Sequence, residues 1–197
     1  METALVPQKR CLFVLSGPSG SGKNTVFDGV KKLLPEVTHT VSATTRAIRP
    51  GEEDGVDYHY LTVEEFLQRV ENDAFLEYVQ YGGNYYGTLK SEVDRLTAEH
   101  KIPVLIIEVN GALNIKRIFP EAATIFIIPP SIEELERRIR KRGHNTEEEL
   151  RTRLAIAAAE MENSDKYDYC VVNDDLDQCI QDVYTIIKKG ADQNDQY

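Results

Sequence analysis

Cysteine is scarce. There are three in 197 residues, Cys11, Cys170 and Cys179, with no CxxC spacing among them. That pattern excludes a disulfide framework and a thiolate zinc site, and it reads as reduced intracellular thiols. Histidine is equally thin: His39, His59, His100 and His144 are scattered outside any ligand spacing, so no dedicated protein-held metal is expected. Long apolar runs are missing too. The first, Cys11 to Leu15, is interrupted at once by Ser and Gly, too short for a membrane span or a signal peptide, and a cytoplasmic location is the expectation. Positive charge is in deficit, 23 Lys and Arg against 33 Asp and Glu for a net charge of -10. This argues against a general nucleic-acid or anionic-membrane binder. What is present, 41% hydrophobic and 28% charged residues, is the composition of a globular chain long enough for one well-buried core.

Apolar runs punctuate the chain at Cys11 to Leu15, Pro103 to Val109, Ala122 to Ile128 and Tyr169 to Val172, alternating with helical patterns such as Thr25 to Leu34. Short buried strands between helices predict a parallel sheet covered on both faces. Three helix starts carry the spacing of a capping box: Thr62-x-x-Glu65, Ser131-x-x-Glu134 and Thr146-x-x-Glu149. Between Ser42 and Gly87 the character changes. Aromatic strand candidates, Phe75 to Gln80 and Asn84 to Tyr86, join through Gly82-Gly83 beside one helix, which predicts an inserted subdomain. The polar stretch from Gly190 to Tyr197 reads as a frayed tail.

The sharpest motif is Gly17-Pro18-Ser19-Gly20-Ser21-Gly22-Lys23, followed by Asn24-Thr25. It lies after a strand pattern and opens a helix pattern, the context a phosphate-binding loop requires. Glycines let consecutive N–H groups turn inward onto phosphate oxygens, and the helix N-terminus adds positive potential. Lys23 would then bridge the β- and γ-phosphates. The motif usually supplies Ser or Thr to the magnesium shell where this chain has Asn24, which can offer an amide oxygen or act through water.

A phosphate loop alone does not separate a GTPase, an ATPase and a small-molecule kinase. Downstream stand Ser42-Ala-Thr-Thr-Arg46-Ala-Ile-Arg49-Pro-Gly-Glu52, Gly55-Val-Asp57-Tyr58, Phe75-Leu-Glu77-Tyr and Gly83-Asn-Tyr85-Tyr86-Gly87-Thr88. Later come Arg138-Ile-Arg140-Lys-Arg142-Gly143, Arg153-Leu and Asn173-Asp174-Asp175-Leu176. From about Arg10 to Lys189 the chain resembles guanylate kinases. The resemblance implies an α/β P-loop kinase with a parallel sheet flanked by helices. Its core would comprise residues 10–41, 88–137 and 154–189, with a small mixed α/β GMP-binding subdomain at 42–87 and a mobile lid at 138–153. It further implies transfer of the γ-phosphoryl group of ATP to GMP, or less efficiently dGMP, with Mg2+ arriving on ATP.

Residue by residue, the resemblance places Arg46 and Arg49, with Tyr58 and Tyr86, on the GMP phosphate. Two arginines three apart beside Pro50-Gly51 can converge on one dianion, for which guanidinium forks are suited. It places Glu77, Ser42 and Thr88 at guanine, whose two adjacent donors and O6 acceptor call for a carboxylate and a hydroxyl. Glu77 is expected to face a solvent-open cleft in the free protein. Glu108 matches an acidic residue near the phosphates, while Ile106 fills another commonly acidic position. Arg138, Arg142 and Arg153 are the counterparts of lid arginines that reach the transferring group, although a basic helix end also suits the helix dipole. Asn173 and Asp174 resemble the adenine-side end of the site, and an Asn-Asp-Asp turn also suits a helix cap. Two other readings compete, a peptide-binding scaffold domain of the same fold and a kinase for another phosphorylated acceptor. The intact loop opposes the first, and the guanine-reading set opposes the second.

Overall fold

The computed structural model describes residues 12–141 and 146–194, the side chains of Gln193 and Asn194 excepted; Cys11, Arg142 and residues 195–197 lie outside the described residues. Five parallel strands form the main sheet: β1 (Phe13–Ser16), β2 (Val37–His39), β7 (Ile102–Ile106), β8 (Ala123–Ile128) and β9 (Tyr169–Val172), in the order β2-β7-β1-β8-β9. Alternation along the strands sends Phe13, Leu15, Val104, Ile125 and Ile127 to one face. There they pack on Val26, Phe27 and Val30 of α1 (Lys23–Leu33) and on Cys179, Val183 and Ile187 of α7 (Leu176–Asn194). Val14, Leu105 and Phe126 point the other way, onto Val93 of α3 (Lys90–Ala98) and onto Val109, Ala112 and Ile115 of α4 (Val109–Ile118). A sheet buried on both faces explains why its strands read as unbroken apolar runs.

A second sheet has the order β4-β3-β6-β5, built from β3 (Ala43–Thr44), β4 (His59–Tyr60), β5 (Phe75–Tyr81) and β6 (Asn84–Leu89). Its hairpin turns at Gly82 and Gly83, whose φ of 58° and 81° suit a two-residue turn of the primed type. Helix α2 (Val63–Glu71) covers one face with Phe66, fully buried between the rings of Phe75 and Tyr85. The last two helices to be placed, α5 (Ile132–Lys141) and α6 (Glu147–Met161), pack as a pair through Leu135, Ile139, Leu150 and Ala157. Among the described residues no helix is long and apolar enough to cross a membrane.

Two capping boxes form in full, at Thr62/Glu65 and Thr146/Glu149. The third is half-made: Ser131 Oγ accepts from Glu134 N–H, but the Glu134 carboxylate is taken by Arg137 and Arg138. Charged donors win over a lone amide. The run Pro103 to Val109 divides, because the chain leaves the sheet after Ile106 and Val109 is already the buried first residue of α4. Apolarity alone cannot distinguish those two states. The polar tail is also corrected: Gly190 to Asn194 continue α7, where Gly190 lies against the Phe13 ring so closely that a Cβ would meet it at 2.8 Å. A docked glycine, not apolarity, extends the helix.

Candidate active site

The C-terminal ends of the parallel strands converge on one edge of the sheet, where ligands of open α/β folds bind. After β1 the chain enters Gly17 to Gly22. Gly17, Gly20 and Gly22 all have positive φ, between 94° and 140°. A side chain at Gly17 would collide with the Ile127 carbonyl and one at Gly22 with the Asn173 amide, so the turn is sterically closed to other residues. Lys23 Nζ donates to the carbonyls of Gly17 (2.6 Å) and Pro18 (3.2 Å), folding over the loop it terminates. Asn173, which follows β9 and is buried, donates from Nδ2 to Ser21 O at 2.7 Å and accepts from Arg138 Nη2 at 2.8 Å through its main-chain oxygen. Its side chain is therefore committed to the loop rather than extended towards a base.

Two clefts meet at this loop. On one side Gly20, Gly22, Thr25, Arg138, Lys141, Asn173 and Asp174 line about 450 Å³. On the other, about 420 Å³ is enclosed between the loop (Ser19, Lys23, Asn24), the second sheet (Ser42, Glu77, Val79, Tyr81, Tyr86), Arg49, Tyr58, and the start of α4 with Glu108 and Gly111. Ile106, at the commonly acidic position, lines the same wall.

Glu77 lines that second cleft. It is 6% exposed, against the expectation of an open position. Burial pushes its carboxyl up to about 7, opposed by the Thr88 hydroxyl, which donates to Oε1 at 3.0 Å. A bulge aims it there. β5 pairs with β6 as Phe75 to Leu89 and then Glu77 to Thr88, so Leu76 is an extra residue and the strand's alternation changes phase. Phe75 and Tyr78 consequently share the face under α2, in ring contact with Phe66, while Glu77, Val79 and Tyr81 face the cleft. Without the slip, Glu77 would lie on Phe75's face.

The two arginines do not converge. Arg49 lines the cleft, but Arg46 makes a forked pair with Glu52 at 3.0 and 2.9 Å and lies over the rings of Tyr58 and Tyr60. Tyr60 Oη and Arg49 N–H donate to the same carboxylate, which the Arg46 guanidinium first, then Tyr60 and Arg49, pull down to about 2. Tyr58 packs edge-on to Tyr86, its hydroxyl pKa raised by burial. Glu108, at the N-cap of α4, is raised by burial and opposed by the Lys23 charge. Arg153 is on the exposed surface of α6. Arg142 lies outside the described residues.

A phosphate loop, a carboxylate buried opposite it and an arginine-tyrosine rim are features to compare with known proteins. The guanylate kinase family model matches residues 9–190. The chain belongs to the guanylate kinase family. A guanylate kinase of Oceanobacillus iheyensis is 48% identical over 187 residues, covering 93% of this chain and 89% of that one. One from Desulfitobacterium hafniense is 44% identical over 176 residues, with 89% and 88% covered. The crystal structure of guanylate kinase from Anaplasma phagocytophilum aligns with a TM-score of 0.69 at 33% identity, over 91% of this chain and 85% of that chain. Membership in the guanylate kinase family makes the chain a phosphotransferase, a nucleoside monophosphate kinase.

In this family member Val79 and Tyr81 also line the cleft wall, and the Glu52–Tyr60 pair holds Arg46, none of which the sequence motifs single out. Counting every second residue from Glu77 would have found the first two. Glu52 stood in the quoted motif without a role, and nothing local marks it as the partner of Arg46 rather than a surface charge.

Proposed function

We propose that the chain transfers the γ-phosphoryl group of ATP to GMP, yielding ADP and GDP, with dGMP a poorer acceptor. The observation that carries this reading is Glu77, buried and held by the Thr88 hydroxyl, lining the same cleft as the phosphate-loop residues Ser19 and Lys23. Guanine presents N1–H and its exocyclic amine side by side, and an ionised carboxylate accepts from both. Ser42 and Thr88 supply hydroxyls beside it. Arg49, Tyr58 and Tyr86 line the cleft between this base site and the loop, where a GMP phosphate would lie. Arg46 would join them by exchanging Glu52 for phosphate oxygens.

ATP would take the other side, its β- and γ-phosphates on the amides of Gly17 to Gly22 and its base towards the part of that cleft lined by Asp174, with Asn173 holding the loop. Lys23 would leave the Gly17 and Pro18 carbonyls for those phosphates. A phosphate oxygen of GMP, already anionic, attacks the γ-phosphorus in line as the bond to the bridging oxygen of ADP breaks, so no general base is needed. The protein's part is positioning and charge stabilisation. Residues 138–153 would close as a lid, bringing Arg138, Arg142 and Arg153 to the transferring group and excluding water. Asn24 and Glu108 line the cleft with hard oxygen donors, which fit magnesium arriving on the nucleotide. Among the described residues no cluster of three acidic, His or Cys side chains could hold a metal by itself. When bound, magnesium would neutralise charge on the β- and γ-oxygens. A cytoplasmic setting in purine nucleotide metabolism belongs to the same proposal. ADP release measured with GMP, AMP, CMP and UMP in turn tests the reading. GMP should dominate, and comparable turnover with AMP would contradict it.

A further inference from the structure

Gly111 is the third residue of α4, in ordinary helical geometry that does not demand glycine. It nevertheless lies where a side chain matters. A Cβ built on it would sit 3.0 Å from Glu77 Oε2, 3.6 Å from Glu77 Cδ and 3.4 Å from Ile107 Cδ1. A methyl group there would press on a buried carboxylate while also touching an apolar side chain. The carboxylate is the freer of the two to move, yet its other oxygen is held by Thr88 at 3.0 Å. Any relief therefore rotates or withdraws the acceptor pair that the base would meet.

Three parts of the chain thus converge on one side chain. The bulge at Leu76 turns Glu77 into the cleft, Thr88 fixes Oε1, and the missing Cβ of Gly111 leaves Oε2 its place against the first turn of α4, whose amides carry the positive end of the helix dipole. We infer that Gly111 is a positioning residue for guanine recognition: it sets the plane of the Glu77 carboxylate and thereby the affinity for GMP, without touching the ATP side. This rests on the reading of Glu77 as the base acceptor.

The test compares Gly111→Ala, Glu77→Gln and the double variant Gly111→Ala/Glu77→Asp with the unaltered chain, by steady-state kinetics in both substrates and by thermal unfolding. Misplacing a binding group by a fraction of an ångström weakens the contact substantially, so Gly111→Ala should raise KM for GMP about tenfold. KM for ATP should stay within about twofold, since no loop contact changes. Alanine favours the helix over glycine, so Tm should not fall in parallel with affinity. In the Gly111→Ala background the shorter aspartate recovers room, so the double variant should bind GMP better than the two single effects multiplied together predict, with Glu77→Asp measured alone for the product. Should Gly111→Ala fail to fold, the double variant should restore folding, and its failure to do so overturns the inference. An unchanged KM for GMP in Gly111→Ala, or equal rises for GMP and ATP, overturns it while the reading of Glu77 stands. An unchanged KM for GMP in Glu77→Gln overturns both.

Discussion

The phosphate loop and the base cleft are built in opposite ways. The loop is seven consecutive residues whose shape is set by glycine conformations. The base cleft draws on residues 42, 77, 86, 88 and 111, and depends on a bulge, a strand pair and a helix start from two sheets' surroundings. A local device needs only its own sequence and one strand-helix junction, whereas the cleft exists only once the second sheet has packed beside α4. Charge divides the same way. The loop ends in a lysine folded over its own carbonyls, while the cleft stores a carboxyl near neutrality by burial.

Breaking the loop side should have the larger consequence for chemistry. On the proposed placement of Lys23 at the transferring group, Lys23→Ala removes a charge from it, and kcat should fall by about 10²- to 10³-fold. GMP binding measured by calorimetry should change little. A kcat near that of the unaltered enzyme would remove Lys23 from its assigned place.

The cleft side can be sharpened by pH. If the reader must be ionised, KM for GMP should rise about tenfold between pH 8 and pH 6, following a carboxyl near 7. The second ionisation of the GMP phosphate, near 6, adds roughly a factor of two. The stability effect has a definite sign. The unfolded carboxyl loses its proton near 4.5 and the folded one near 7, so the native state holds more protons in between. Its contribution to stability therefore falls as pH rises from about 4.5 to 7 and is level above. Relative to the unaltered chain, Glu77→Gln should gain in Tm over that interval, and parallel Tm curves would contradict the shifted carboxyl.

The smallest effect should come from a site outside both regions. Thr62→Ala deletes the hydroxyl of a complete capping box on α2 and should cost about 1 kcal/mol in urea unfolding. Because the cap lies outside the cleft wall, kcat/KM should be unaffected, and a large kinetic loss would show that α2 transmits to the base site.

Legibility followed the same division. The loop, the parallel strands and the two completed caps depend on residues within a turn of one another, and their spacing was enough to place them. Glu77 is a candidate base reader only through the family's motif, and its burial is not legible in the sequence, because Gly111 of α4 packs against it from another part of the chain. The bulge at Leu76 leaves no mark in composition: Phe75-Leu76-Glu77 reads like any strand start. Arg46 and Arg49 have the spacing to share a phosphate, yet Glu52 claims Arg46 because a forked, tyrosine-backed pair is available three residues beyond Arg49. Asn173 shows the same limit, since its partner Ser21 is 152 residues away.

Glu77 is proposed to choose the base, and kcat/KM for GMP in Glu77→Gln tests that most directly. The amide keeps one acceptor and replaces the other with a donor facing a guanine donor, which leaves buried polar groups unpaired. The value should fall by about 10²- to 10⁴-fold, with KM for ATP unchanged and cooperative thermal unfolding retained. A folded Glu77→Gln enzyme that phosphorylates GMP with unaltered kcat/KM would contradict it.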